Sequence, residues 1–316
     1  MTHRQCKLTT LVGVLVLCLV LVACGGGEEA AAAPSGSSST GTTSGAAFKA
    51  ASKVVPLEYD PDAATSANDG SIDVSDVSQG VVHAAGTSSS RLKLLVVHGD
   101  MSYNYDIPGD GTPITCPVNM GDGSYTFSVM RNTGGNSYVE LHSVACDVKL
   151  DSEFEPFLHA NVFCNYSEKS DCVTKARSLT KKSKNEGDAL AAICTYVVDN
   201  ITYDNKKASK LSGKSGYVPD PDETLSSGKG ICFDYASLSA AMLRSVGLPA
   251  RVMTGYVSPG DLYHAWTMVY IDGTWKSVQF TVDAKKWTRV DLTFAAGSGS
   301  TGTVGDGNTY TDRYMY

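Results

Sequence analysis

The stretch GKGICFDYA (228–236) places a cysteine between a glycine-rich approach and the start of a helical pattern. From Cys232 onward, apolar residues recur at the spacing of one helix face, and Gly247 followed by Pro249 ends the pattern. A thiol attacks a carbonyl as a thiolate, and the free N–H groups of a first helical turn favour that negative charge. The stretch therefore predicts a nucleophile at Cys232, rather than a buried thiol or one half of a disulfide.

A cysteine nucleophile needs a base, and the chain has few candidates. Of its six histidines, only His264 follows Cys232, and it begins the strand-like run HAWTMVYID (264–272). A histidine on a strand that faces a helix N-terminus has the geometry of Cys–His catalysis. A third group should then hold the imidazole in the correct orientation. His264 is therefore the predicted general base.

Several blocks, taken in order, carry a resemblance to a known family. The chain contains G-x-C-x-D-Y-A, L-R-x-x-G-L-P-A-R-V, G-Y, H-A-W, D-G-x-W and W-x-x-x-D-x-T-F over about 156–316. This pattern resembles the transglutaminase-like superfamily, whose papain-like core holds Cys, His and Asp on a helix and two neighbouring strands. The resemblance implies that Cys232 is the nucleophile, that His264 is the general base, and that the reaction passes through a thioester.

The orienting acid is the position at which the chain departs from the family pattern. The family places an Asp four residues after the Trp of the strand that follows the His, and counting from Trp275 gives Gln279. A second frame, which begins at Trp287, reproduces the W-x-x-x-D-x-T-F ending and gives Asp291. Asp291 is the predicted acid and Gln279 the alternative orienting residue, since an amide oxygen also accepts an imidazole N–H.

A candidate for the oxyanion site lies upstream of the cysteine. The segment NITYD (200–204) resembles the segment that follows the first helix in the family. Since some members hold the oxyanion with a side chain near this point, Tyr203 is a candidate donor beside the Cys232 backbone N–H. A packing role for Tyr203 is an equal alternative.

The order of the predicted elements indicates an α+β fold, in which a small all-β domain precedes the transglutaminase-like core of helices packed on an antiparallel sheet. We expect a β-sandwich-like domain over 71–150, with strands at 91–99, 125–132 and 137–150. We expect the catalytic domain over 156–316. Its predicted elements are helices from Ser170, over 187–200 and over 232–247, a polar loop over 206–230, and strands over 250–257, 264–272, 274–282 and 287–294.

The first 50 residues predict export and anchoring. Residues 1–23 combine a positive start with the apolar run 8–23. A helix of that run would span about 24 Å, short of a hydrocarbon core of about 30 Å, which favours a signal peptide. The run ends in LVACG, which resembles a bacterial lipobox with Cys24 as the lipidated residue, and 24–50 is a Gly/Ser/Ala-rich flexible linker. We therefore expect a lipid-anchored protein on the extracellular face of a bacterial membrane.

The nine cysteines are consistent with export. The pairings Cys116–Cys146 and Cys164–Cys172 are plausible, but spacing alone does not set disulfide connectivity. No C-x-x-C, H-x-x-x-H or D-x-D-x-D-G spacing occurs, so neither a metal nor another cofactor is expected.

Net charge and basic runs narrow the class of partner. The net charge is −7, and no basic run exceeds a Lys-Lys pair, which argues against nucleic acid. The expected partners are a protein or peptide substrate, the membrane through the lipid on Cys24, and the cell wall through the β-domain.

Three functions stay open from the sequence. The favoured one is a peptidase or amidase that acts on extracellular protein or wall peptide. The alternatives are a protein-glutamine γ-glutamyltransferase that cross-links proteins, and a non-catalytic binding or scaffold lipoprotein. Triad residues do not separate the two enzymes, because their reactions diverge only when water or an amine attacks the thioester.

Overall fold

The computed structural model describes residues 41–258, 262–277, 279–298 and 310–316. Over these residues the fold is α+β, which confirms the predicted fold class. The predicted signal peptide, the lipidation site Cys24 and most of the linker 24–50 lie outside the described residues. No helix in the described part is long and apolar enough to cross a membrane.

The α-helices of the described part fall in the second half of the chain. The α-helices are α1 (Asp171–Thr180), α2 (Glu186–Asn200), α3 (Asn205–Leu211), α4 (Pro221–Ser227), α5 (Cys232–Ser245) and α6 (Leu292–Ser298). Two short 3-10 helices lie at Val77–Gln79 and Glu155–Phe157.

The strands fall on both sides of the helices. Those before α1 are β1 (Thr42–Gly45), β2 (Thr65–Ala67), β3 (Gly70–Asp73), β4 (Val81–Gly86), β5 (Leu92–His98), β6 (Met101–Ile107), β7 (Ile114–Pro117), β8 (Gly123–Gly134) and β9 (Ser137–Val148). Those after α2 are β10 (Thr202–Tyr203), β11 (Lys229–Gly230), β12 (Ala250–Val257), β13 (Leu262–Val269), β14 (Gly273–Lys276), β15 (Thr281–Val282), β16 (Thr288–Val290) and β17 (Tyr310–Met315).

Strands β2 to β9 form two antiparallel sheets around one apolar core. The sheet orders are β2-β3-β4-β7 and β6-β5-β8-β9. Strand β5 alternates in burial, so that Leu92, Leu94 and Val96 point into the core that both sheets share. Burying a side chain of this size stabilises the fold by roughly 1.5–3 kcal/mol, so the alternation holds the two sheets face to face.

Helix α5 is the centre of the second core. It packs against α1 and α2 on one side and against β12 and β13 on the other, and its residues from Asp234 to Ser245 are all buried. The sheet behind it has the order β16-β13-β12-β17. A hydrogen bond of 2.7 Å between Ser239 Oγ and Thr267 Oγ1 links the helix to the central strand β13. This contact fixes the middle of α5 relative to that strand.

The polar segment 206–230, expected as a loop, contains α3 and α4. Both helices begin at an aspartate cap: Asp204 Oδ1 accepts the Lys207 N–H at 2.9 Å, and Asp220 Oδ1 accepts two N–H groups beside Pro221. Neither helix has a long apolar stripe, so periodicity could not reveal it, whereas the caps are sufficient to start it. The expected strand 287–294 is also shorter, because the chain turns into α6 after Val290.

Two further elements depend on partners far away in sequence. Residues 42–45, inside the segment expected to be linker, form β1 and pair with β14 through the register Thr43↔Trp275. Strand β17 pairs with β12. Neither segment has an apolar alternation of its own. Each becomes a strand only because it pairs with the edge of an existing sheet.

The six described cysteines are all free, which differs from the disulfide pairs that the spacing made plausible. Cys116 is fully buried in β7, whereas Cys146 is only partly buried in β9, a strand of the other sheet. Cys164 lies 3.8 Å from the Ser237 carbonyl oxygen, and burial together with Asp222 raises the pKa of the Cys172 thiol. The described thiols are therefore present without disulfide partners.

One buried cation joins α5 to the sheet and to the end of the chain. Arg244 is 2% exposed. It donates to the carbonyl oxygens of Ala250 at 2.8 Å, His159 at 2.8 Å and Tyr316 at 2.7 Å. The guanidinium thus holds three separate segments at the C-terminal end of the helix.

We expect Arg244→Met to lower the free energy of unfolding by about 3 kcal/mol or more, because three carbonyl oxygens lose a charged donor. Urea unfolding followed by circular dichroism measures the change. Arg131→Met, at a partly exposed arginine of β8, is the matched control and should change stability by less than about 0.5 kcal/mol. Equal effects of the two substitutions would contradict a special role for Arg244.

Candidate active site

The approach GKG gives Cys232 its position at the start of α5. Gly228 ends α4 in a left-handed conformation with φ of 62°. A Cβ on Gly230 would lie 2.6 Å from the Asp234 Cβ, so only glycine fits there. Asp234 Oδ2 in turn accepts the Ile231 N–H at 2.8 Å, which caps the helix one residue before Cys232. The cysteine is partly exposed at the first position of the helix.

His264 lies on β13, the strand against which α5 packs. Its cross-strand partner is Gly255 on β12. A Cβ at Gly255 would lie 2.0 Å from the Thr311 carbonyl oxygen. The imidazole is 4% exposed and stacks on the Phe294 ring, with centroids 4.5 Å apart and planes 10° apart. Sheet register and stacking together leave the ring little rotational freedom.

Asp291 follows β16 directly and is fully buried beside His264. Its Oδ2 lies 2.8 Å from His264 Nε2 and also accepts the Tyr310 hydroxyl at 2.8 Å. Its Oδ1 accepts the Phe294 N–H at 3.1 Å, so the residue also caps α6. Because three donors surround this carboxylate, it can stay ionised in the core.

The electrostatics of the site favour a charged imidazole. Burial lowers the pKa of His264, but hydrogen bonds with Asp291 and with the Cys232 side chain outweigh this effect and raise the pKa to about 9. Because Nε2 is engaged by Asp291, Nδ1 is the nitrogen left for the thiol. An imidazolium at neutral pH is the partner that stabilises a thiolate.

The structure separates the remaining candidates. Gln279 donates through Nε2 to the Ala295 carbonyl oxygen at 3.4 Å, not to His264. Tyr203 lies on β10, paired with Gly230 of β11, and lines the same cleft as Cys232. Burial is the main cause that raises the pKa of the Tyr203 hydroxyl, and the nearby Cys232 adds to it.

Two residues at the site were not singled out from the sequence. Phe294 supports the imidazole from below, and the final F of W-x-x-x-D-x-T-F was its signal. Tyr310 donates to Asp291 from β17. It follows a polar, glycine-rich stretch, and nothing in its local pattern indicates the contact.

A cleft of about 690 Å³ opens over Cys232 and His264. The first turn of α5 and strand β13 form its floor. The segment 212–218 forms one wall, and the sandwich contributes Arg91, which directly precedes β5, together with Lys93 of β5 and Asn104 and Asp106 of β6. Exposed apolar side chains surround its mouth, namely Tyr203, Val218, Leu262 and Tyr263. The cleft therefore combines charged and apolar surface.

A family model matches this part of the chain. Residues 173–292 match the model of the transglutaminase-like superfamily. The matched segment runs from α1 to the first residue of α6 and contains Cys232, His264 and Asp291.

Curated relatives resemble this chain over part of their length. A UPF0252 protein of Methanocaldococcus jannaschii is 31% identical over 147 residues, which cover 44% of this chain and 40% of the relative. An uncharacterised protein of Mycobacterium leprae is 24% identical over 149 residues, which cover 44% of this chain and 48% of the relative. This chain therefore spans less than half the length of these two relatives.

Solved structures resemble this chain at low overall similarity. A candidate cysteine protease of Cytophaga hutchinsonii is 17% identical, covers 73% of this chain and 80% of its own, and has a TM-score of 0.36. A TGase is 27% identical, covers 39% of this chain and 31% of its own, and has a TM-score of 0.31. Red sea bream transglutaminase is 13% identical, covers 69% of this chain and 48% of its own, and has a TM-score of 0.31.

The raised pKa of His264 predicts how stability depends on pH. The folded protein holds this proton more tightly than the unfolded chain, since the pKa rises from 6.5 to about 9. The resulting stabilisation is complete below about pH 6.5, amounts to about 3 kcal/mol, and is lost as the pH rises through about 9. Urea unfolding at pH 6 and pH 9.5 measures this loss.

Asp291→Asn should remove at least half of this pH dependence, because the amide carries no charge to hold the imidazolium. Gln279→Ala is the control and should keep the wild-type dependence. If the pH dependence of stability vanished in Gln279→Ala and persisted in Asp291→Asn, Gln279 rather than Asp291 would orient His264.

Proposed function

We propose that this chain is a cysteine hydrolase that cleaves amide bonds in proteins or peptides through a thioester on Cys232. One observation carries the proposal. A buried histidine, held by the fully buried Asp291 and with its pKa raised to about 9, faces a partly exposed cysteine at a helix N-terminus. A complete set of this kind, in which the histidine and the acid are buried, favours an enzyme over a scaffold protein.

The first half of the proposed reaction forms the thioester. The Cys232 thiolate attacks the carbonyl carbon of the amide, and the electron pair of the C=O bond moves to oxygen. The Cys232 backbone N–H, at the positive end of α5, donates to this oxyanion, and the Tyr203 hydroxyl is a second donor. His264 then gives its proton to the leaving nitrogen as the C–N bond breaks, which releases an amine.

The second half of the reaction restores the thiolate. Neutral His264 takes a proton from water, the water oxygen attacks the thioester carbonyl, and the C–S bond breaks to release a carboxylic acid. Asp291 does not exchange this proton. It fixes the tautomer and orientation of the imidazole, because Nε2 stays bonded to Oδ2 throughout.

The identity of the acceptor separates a hydrolase from a cross-linking enzyme. Cys232 is partly exposed, so bulk water reaches the thioester carbon. We therefore place hydrolysis ahead of protein-glutamine γ-glutamyl transfer, in which a lysine amine replaces water. The coarse chemistry, acyl transfer from an amide to a cysteine, is common to both.

The wild-type protein should fragment dimethylated casein, and Cys232→Ala should reduce the rate by about 10³-fold or more because the nucleophile is lost. Cys146→Ala, at a partly buried thiol of the sandwich, is the matched control and should retain wild-type activity. Gel electrophoresis detects cut chains, and an enzyme-coupled assay detects released ammonia.

Dansylcadaverine in the same reaction tests the transferase alternative. Dimethylated casein offers glutamine side chains but no lysine amine, so fluorescence in the protein band reports amine transfer alone. Cut chains or ammonia without fluorescence would support hydrolysis. Activity that survives Cys232→Ala, or disappears in Cys146→Ala, would contradict the proposed nucleophile.

We also propose, from the N-terminal sequence, that a lipid on Cys24 holds the domain on the extracellular face of a bacterial membrane. Expressed from the full chain in a bacterial host, the wild-type protein should sediment with membranes. Cys24→Ala should appear in the soluble exported fraction at more than about half of the total, since one lipid anchor supplies most of the binding free energy. An unchanged distribution of Cys24→Ala would contradict lipidation at this residue.

A further inference from the structure

The segment 212–218 forms a wall of the cleft without being part of a helix or strand. Its first five residues, Ser212 to Gly216, are exposed, whereas Tyr217 is partly buried. An exposed segment of irregular backbone is held mainly by the side chains that it buries. The contacts of Tyr217 therefore decide where this wall stands.

Those contacts converge on one carboxylate. Asp234 is fully buried two residues after Cys232, and its Oδ1 accepts the Tyr217 hydroxyl. Its Oδ2 accepts the Ile231 N–H at 2.8 Å and lies 2.8 Å from Lys207 Nζ. Three parts of the chain meet here: the capping turn of α5, helix α3 and the segment 212–218.

The cation completes the arrangement around the ring. Lys207 Nζ lies 4.8 Å from the centroid of the Tyr217 ring as well as against Asp234. A carboxylate without solvent is stable only when donors and a counter-charge surround it. The Ile231 N–H and the Tyr217 hydroxyl are the donors, and Lys207 is the counter-charge. Each of these groups would lose its hydrogen bond or ion pair if the carboxylate were removed.

The tyrosine stays a hydrogen-bond donor over the working pH range. Burial, together with the hydrogen bond to Asp234, raises the pKa of its hydroxyl well above the ordinary value. Its ring also makes an edge contact with Phe233, the residue after the nucleophile, at 6.5 Å between centroids. Tyr217 is thus fixed both to the carboxylate and to the floor of the cleft.

The same segment also reaches the sandwich. A Cβ on Gly216 would lie 3.2 Å from Asp106 Oδ2 of β6, and Asp106 is held by two hydrogen bonds from Arg91 at 2.9 and 2.7 Å. The segment therefore lies against both the nucleophile helix and strand β6, which line the same cleft.

We propose that Asp234 is a positioning residue, which ties the segment 212–218 to the nucleophile helix through Tyr217 and Lys207 so that this segment forms a fixed, substrate-contacting wall for a polypeptide. The polypeptide substrate in this inference rests on the proposed function. The attachment itself is a property of the folded chain and is testable without turnover.

Limited proteolysis of the full chain tests the attachment. Trypsin cleavage after Lys210 and Lys214, followed by mass spectrometry, reports opening of the segment. We expect Tyr217→Phe and Lys207→Gln to speed cleavage at these two bonds about fivefold or more, since each removes one partner of Asp234. Lys206→Gln, at the exposed neighbour of Lys207, is the matched control and should cleave at the wild-type rate. Thermal unfolding of each variant confirms that the global fold is retained.

Steady-state kinetics tests the wall. For fragmentation of dimethylated casein, Tyr217→Phe should raise KM about 5- to 20-fold and change kcat less than twofold, because the ring remains but its position is lost. Iodoacetamide is too small to need the wall, so its alkylation of Cys232 should also change less than twofold.

The outcomes separate the two claims. Wild-type cleavage rates by trypsin in both Tyr217→Phe and Lys207→Gln would overturn the attachment. Faster trypsin cleavage with an unchanged KM, or a loss confined to kcat, would overturn the role as a substrate wall. If the wild-type protein leaves casein intact, the proposed hydrolase activity fails, whereas the trypsin result still decides the attachment.

Discussion

The buried hydrogen bond between His264 and Asp291 is the constraint on which the second half of the fold depends. Both side chains are at most 4% exposed, so neither tolerates the loss of its partner. They meet only because β13 pairs with β16 in the register Thr267↔Val290, which places residue 291 at the end of the strand beside the imidazole. A slip of one residue would turn His264 to the other face of the sheet. Sheet register and site geometry are therefore the same requirement.

Helix α5 could be predicted from the sequence because its signals are local and agree with one another. The glycine approach, the apolar spacing after Cys232 and the terminating Gly247 indicate its bounds within one or two residues of those observed. Asp291 was preferred over Gln279 through resemblance to a family ending, since strand periodicity alone does not distinguish the two frames. The structure accounts for the extra residues between them: β15 and the turn before β16 lengthen the path by one short strand pair.

What the sequence could not indicate is set by contacts over long separations. Strand β1 exists because Thr42–Gly45 meets the edge of β14, more than two hundred residues later. Tyr310 donates to Asp291 only because β17 joins β12. The small helices α3 and α4 begin at aspartate caps within a polar segment, where periodicity carries no information. Each of these elements is decided by its partner rather than by its own pattern.

The sandwich takes part in the cleft through the same long-range contacts. Its core is separate from that around α5, yet strands β5 and β6 supply polar side chains to the cleft that Cys232 also lines. The bidentate pair of Arg91 and Asp106 stiffens that surface, because two parallel hydrogen bonds fix both the distance and the orientation of the groups. Cys232, His264 and Asp291 thus lie on the helix and the sheet, whereas the cleft around them is built jointly with the β-strands that precede them.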